Sequence, residues 1–227
     1  MDAKETRATS GRRERRAEPG PGVHEGQHVL WTAMDFLIYG RAAANAEDQL
    51  DTPELDEAHW SYMDTFAGRM TARGPTLSAD RQTWTGSLHV VDLPDAQAAR
   101  DFAVHDPYHR AGMFTEHLIR RFDNLLGRTM WDFTPGSDDV PFLVIAEGHG
   151  DVRWPGNEEA PPAPALAKRL VVRGTLRPAP TRRPSGVVLA VLAPDREAVD
   201  ALLDAAPGLL GGHRRPEIQA WEVGGRR

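Results

Sequence analysis

The stretch RGPTLSADRQTWTGSLHVVDLPDAQAARDFAVHDPYHRAG, residues 73–112, has a counterpart one hundred positions later, RGTLRPAPTRRPSGVVLAVLAPDREAVDALLDAAPGLLGG, residues 173–212. Arg73-Gly74 returns as Arg173-Gly174, Gly86 as Gly186, Pro94-Asp95 as Pro194-Asp195, and Asp106-Pro107 with Gly112 as Ala206-Pro207 with Gly212. Glycine and proline set backbone geometry at turns, so their return at constant offset, with apolar runs between them, reports a repeated backbone. The carboxylate at position 106 does not return. One scaffold is expected twice, with the polar chemistry kept in the first copy.

Working outward, the apolar stretch from Val29 to Tyr39 reads as a buried strand ending at Gly40. A helix beginning at Asp56 or Glu57 carries Trp60, Met63, Phe66 and Met70 near one face, and Gly74-Pro75 reads as its stop, with a short extra strand near Thr76 to Ala79. Trp84 to Val91 reads as a strand, and Pro94-Asp95 opens a helix that Asp106-Pro107 breaks. Thr115 to Phe122 closes the unit as a strand, with Leu118 and Phe122 directed inward. The second half follows the same plan. Phe142 to Ile145 gives its first strand, Ala165 to Val172 a helix, Gly186 to Leu192 the central strand, Asp195 to Leu203 a helix, and Ile218 to Val223 the last strand. Thr134 to Ser137 reads as a hinge and Trp154 to Pro164 as an irregular loop.

This order makes the expected class α+β: two ferredoxin-like β-α-β-β-α-β units, residues 27–134 and 139–227, behind a disordered tail of residues 1–26. Each antiparallel sheet needs a cover for its second face, and a like unit supplies one. The two sheets are therefore expected to pack face to face as an α+β barrel, a pseudo-dimer within one chain that leaves room for a further homodimer.

Composition narrows the function. A chain of 227 residues with 40% hydrophobic and 26% charged residues has the make-up of a soluble globular protein. It has no apolar run near the roughly 20 residues that span a bilayer, and no membrane partner is expected. It contains no cysteine, which removes thiolate nucleophiles, disulfides and thiolate metal sites. The tail carries Arg12, Arg13, Arg15 and Arg16, but Glu5, Glu14, Glu18 and Glu25 dilute them and the net charge is −6, so no nucleic-acid partner is expected. The tail has no apolar core of a signal peptide, and the expected address is cytoplasmic.

His59-x-x-Tyr62, Arg73-Gly74-Pro75, Thr85-Gly86-Ser87-Leu88 and Asp106-Pro107-Tyr108 with Ala111-Gly112 together resemble the YCII-related family, over about Phe36 to Phe122. The second half keeps the glycine pattern but lacks the helix-start histidine and the Asp-Pro pair. The resemblance implies a dimeric α+β barrel in which His59 and Asp106 face a shared pocket. It also implies cofactor-independent proton-transfer chemistry, since one characterised member is a dehydrochlorinase acting on a chlorinated hydroxyquinol.

The residues support the same pair on their own chemistry. An imidazole exchanges a proton near neutral pH, and a carboxylate on its other ring nitrogen fixes the tautomer and stabilises the imidazolium. In the alternative reading His59 only occupies a helical turn and Asp106 only caps the turn before Gly112. Tyr62, one turn after His59, could donate to a substrate oxygen or pack in the core; Tyr108 and Ser87 could line the cavity or serve locally. Arg73 is a candidate substrate contact, although its recurrence as Arg173 points to structure. Trp31 and Trp84 read as sheet aromatics rather than a ligand platform. His105, His109 and His117 raise a metal site, against which Pro107 interrupts the helix that would align them, so neither metal nor cofactor is expected. The expected function is a lyase or isomerase, dehydrochlorinase- or dehydratase-like, on a small oxygenated, aromatic or polyketide-like substrate; the alternative is a binding protein of the same fold without turnover.

Overall fold

The computed structural model describes residues 34–46, 52–136, 138–148, 162–178, 183–212 and 215–224. The tail of residues 1–26, Trp31, the start of the Val29–Tyr39 stretch, Ser137 and most of the Trp154–Pro164 loop lie outside them. The elements are β1 (Asp35–Ala42), α1 (Pro53–Asp64), β2 (Met70–Leu77), β3 (Trp84–Asp92), α2 (Ala96–His105), α3 (Pro107–Arg110), β4 (Phe114–Asn124), β5 (Val140–Glu147), α4 (Pro164–Ala167), β6 (Leu170–Arg177), β7 (Gly186–Ala193), α5 (Arg196–Ala205) and β8 (Glu217–Trp221).

Local chemistry sets the helix starts in the same way in both halves. Asp95 accepts from the amides of Gln97 and Ala98, each at 2.8 Å, and Asp195 accepts from Ala198 at 2.8 Å, satisfying first-turn donors that a helix leaves open. Asp106 ends α2 in an extended conformation because Pro107 follows it.

The first four strands run in the spatial order β4-β1-β3-β2 and the last four in the order β8-β5-β7-β6, antiparallel throughout. The expected α+β barrel forms, but as one closed sheet rather than as two separate sheets packed face to face. The halves join edge to edge, β2 pairing with β8 and β4 with β6, so all eight strands close into one barrel. Closure explains the difference: a four-stranded sheet leaves two edges of unpaired backbone groups, and joining both pairs of edges removes them all. Ion pairs also join the halves, Arg41 with Glu217 at 2.5 Å, Arg120 with Glu147 at 2.7 Å, and Asp123 with Arg177.

Side chains alternate across the wall. Leu37, Tyr39, Leu88, Val90, Leu143, Ile145, Val188 and Trp221 fill the barrel. Phe36, Ile38 and Val91 face outward beneath Met63 of α1 and Phe102 of α2, while Val144, Leu189 and Val191 face outward beneath Val199 and Leu203 of α5. Strands covered on both faces read as continuous apolar runs, as β7 does, with every residue buried.

Two helices are shorter than their periodicity predicts. α1 stops at Asp64, and Met70, Arg73, Gly74 and Pro75 belong to β2, so Gly74-Pro75 is mid-strand rather than a helix stop. Likewise α4 spans Pro164–Ala167, and Leu170 to Val172 lie in β6. In both places a doubly covered strand presents the unbroken apolar pattern that a buried helix also shows. No helix among the described residues is long and apolar enough to cross a membrane.

Candidate functional site

α1 begins at Pro53, a residue suited to a first helical turn, and turns His59 and Met63 inward one turn apart. Asp106 sits at the break between α2 and α3. These two distant points meet: His59 Nδ1 lies 2.8 Å from Asp106 Oδ1, with the residues 4% and 3% exposed. Asp106 Oδ1 also accepts the Tyr108 amide at 3.0 Å. The Tyr108 ring lies flat on the His59 imidazole, with centroids 3.9 Å apart and planes 2° from parallel, and its hydroxyl donates to Asp56 Oδ1 at 2.7 Å. A closed circuit of Asp56, Tyr108, Asp106 and His59 therefore fixes the imidazole plane. With Nδ1 engaged by the carboxylate, Nε2 is the nitrogen left for other chemistry.

His59, backed by Asp106, borders a cavity of about 160 Å³ between the helices and the outer face of the sheet. Trp60 and Tyr108 line it from the helix side, Arg73, Ser87 and His89 from the sheet, and Trp84 from the start of β3. Arg73 is buried with its guanidinium over the rings of Trp60 and Trp131, at 5.8 and 5.9 Å. Gly224 completes the lining, and its amide donates to the Arg73 carbonyl at 3.0 Å. The first half thus does not build the cavity alone, because the chain leaving β8 forms part of it. Gly74 permits that approach: a Cβ there would lie 1.9 Å from the Glu222 carbonyl oxygen.

Of the residues singled out in the sequence, His59, Asp106, Tyr108, Ser87 and Arg73 are gathered at this site. Tyr62 is turned elsewhere: its hydroxyl donates to the Phe102 carbonyl at 3.0 Å and its ring packs on Phe66 and Phe102. Burial accordingly pushes its phenol up to about 12. Trp84, read as a sheet aromatic, lies on the cavity wall. His105 faces outward against the Asp101 carbonyl at 2.7 Å, while the His109 and His117 rings are 5.0 Å apart. No cluster of three or more His, Cys, Asp or Glu residues suited to a metal occurs among the described residues.

Sequence reading passed over His89. It is buried on the outer face of β3, with ring contacts to His59 at 6.2 Å and Phe102 at 5.6 Å. Burial above all, helped by the neighbouring His59, pushes its imidazole down to about 3. Nothing in the local sequence marks it, and only the folded arrangement places it beside His59.

The second half holds a matching crease lined by Arg173, Gly174, Val187, Leu189, Leu209 and Leu125, with no water-sized space inside. The Leu125 amide donates to the Arg173 carbonyl at 3.0 Å, as Gly224 does to Arg73. A wider recess of about 550 Å³ runs along α5 near Asp200, Asp204 and Pro207. Among the described residues its lining holds no imidazole.

The YCII-related domain model matches residues 34–123. No curated protein matches the chain in sequence. Among solved structures, the 5-chloro-2-hydroxyhydroquinone dehydrochlorinase of Burkholderia phenoliruptrix AC1100, in complex with 2,5-dihydroxybenzoquinone, is 27% identical with a TM-score of 0.35, over 39% of this chain and 92% of its own. An anthrone oxidase-like protein is 12% identical with a TM-score of 0.47, over 84% of this chain and 91% of its own.

Proposed function

With residues 34–123 matching a YCII-related domain, we propose that the chain is a cofactor-independent acid–base enzyme, of lyase or isomerase type, on a small oxygenated single-ring substrate. The observation that carries this reading is the buried 2.8 Å contact of His59 with Asp106 at the edge of a cavity. His59 takes a proton at Nε2, and Asp106 holds the Nδ1 proton and stabilises the imidazolium without itself becoming protonated. In an elimination, a substrate O–H bond breaks and its electron pair forms a carbonyl. The displaced pair expels a leaving group as its anion, and His59 later returns the proton to solvent.

The cavity volume bears on the substrate. At about 160 Å³ it resembles the roughly 150 Å³ space that accommodates one benzene ring, well below drug-sized pockets of about 300 Å³ and more. A single ring is therefore favoured over a fused polyketide-like one. We also read the halves as two copies of one β-α-β-β-α-β unit, the second having lost its polar residues; the matching strand orders and the paired Asp95 and Asp195 caps support this.

The test is chloride release from 5-chloro-2-hydroxyhydroquinone, with solvent hydrogen exchange across a panel of hydroxylated single-ring compounds. His59→Gln should lower turnover by about 10²- to 10⁴-fold. Turnover preserved in that variant would exclude His59 as the base. Saturable binding without turnover in the parent protein would favour the binding-protein reading, which the aromatic walls of Trp60, Trp84 and Tyr108 also suit.

A further inference from the structure

The acid–base reading gives no task to His89, although it lines the same cavity. We infer that His89 is a second substrate-contacting imidazole, holding a ring oxygen by a hydrogen bond from the strand side while His59 exchanges the proton from the helix side. The inference rests on the proposed function and adds to it how the substrate is recognised.

Every residue from Gly86 to Val91 in β3 is buried, and the neighbours Leu88 and Val90 point into the barrel. His89 points the other way, toward α1 and α2, where the edge of Phe102 fixes its ring at a 65° tilt. Its ring stands 61° from that of His59 with centroids 6.2 Å apart, which lets both reach one small ligand. No hydrogen bond to the His89 ring occurs among the described residues. Buried polar groups normally have a partner, and an imidazole on a cavity wall is served by whatever occupies the cavity. The counterpart strand β7 carries Leu189 at the matching point, so packing there does not call for a polar residue.

The charged and titratable groups around His89 are His59 from α1, Asp106 from the end of α2, Arg73 from β2 and His117 from β4. Burial, His59, Arg73 and His117 disfavour its cation, and Asp106 opposes them. Its ring therefore stays neutral through ordinary pH, offering a hydrogen bond without competing with His59 for the proton.

The experiment compares binding of hydroquinone with that of p-xylene, a ring of similar shape without oxygens, by calorimetry at pH 7. The parent protein should prefer hydroquinone by about tenfold, the size of one net hydrogen bond. His89→Leu should erase the preference while leaving p-xylene binding intact, and His89→Gln should restore most of it. In the unmodified protein, hydroquinone but not p-xylene should move the His89 ring nitrogen resonances, a readout independent of whether any variant folds. A parent without preference, a His89→Leu variant that keeps it, or unmoved resonances would each overturn the inference. Failure of the proposed catalysis is separate: His59→Gln would then retain turnover whatever the binding results.

Discussion

Two creases lie between helix and sheet on this barrel, a hundred residues apart in the chain, and one is open while the other is shut. Both have a buried arginine on the second strand of their half, Arg73 and Arg173, and both are crossed by a hydrogen bond to that arginine's carbonyl. They differ in the side chains between. Where the first has Ser87, His89 and Tyr108, the second has Val187, Leu189 and Leu209, and no water-sized space is left. A shared backbone thus does not produce a cavity. Polar and aromatic side chains line the open one, whereas aliphatic ones close together.

The largest effect that would sharpen this contrast is on turnover. His59→Gln is expected to lower it by about 10²- to 10⁴-fold in steady-state rates. Asp106→Asn should follow at roughly a hundredfold or more with the fold intact by circular dichroism, because an amide oxygen in place of Oδ1 keeps the cap on the Tyr108 amide and the contact to His59 Nδ1 but lacks the charge that stabilises the imidazolium. Unfolding of that variant would make Asp106 structural instead.

Leu189→His should break the symmetry in the other direction. It buries an imidazole in a crease with no space and no partner, at a cost of about 1–3 kcal/mol in denaturant unfolding, and turnover should not change. The glycines on the paired strands offer a matched test. Gly74→Ala pushes against the Glu222 carbonyl and should weaken ligand binding, whereas Gly174→Ala pushes chiefly against the Phe122 ring and should lower stability without touching binding. Equal effects of the two on binding would undo the contrast.

The last expected effect is in pH dependence. Unfolded, His89 titrates near 6.5, and folded it is pushed down to about 3, chiefly by burial. Between those values the unfolded chain binds the additional proton, so stability falls as pH drops through 6.5 toward 3, by up to about 1.4 kcal/mol per pH unit. His89→Leu should flatten the fall between pH 6.5 and 4.5 in urea titrations. An unchanged slope would mean that the group is not held neutral.

Much of this was legible in the sequence. The strands around Phe36–Tyr39, Trp84–Val91, Phe142–Ile145 and Gly186–Leu192 and the caps Asp95 and Asp195 follow from local patterns, and the meeting of His59 with Asp106 was an expectation of their chemistry and of the family resemblance. β2 and β6 were not legible, because a strand covered on both faces loses its alternation, and Met70 of β2 continued the helical spacing of Trp60 and Met63. The closure of the barrel at its two seams was hidden as well, since edge pairing depends on a partner far along the chain. His89 carried no signal for a related reason: its surroundings come from four different elements, and the sequence beside it reads as ordinary strand.

The amide of Gly224 on the carbonyl of Arg73 ties the fate of the pocket to the second half of the protein. Drift at Gly224 would register as a change in the pocket, even though 165 positions of sequence separate it from His59. The second half is therefore not free to decay. Its own crease can fill with aliphatic side chains, but its closing strand remains answerable to a site on the opposite flank.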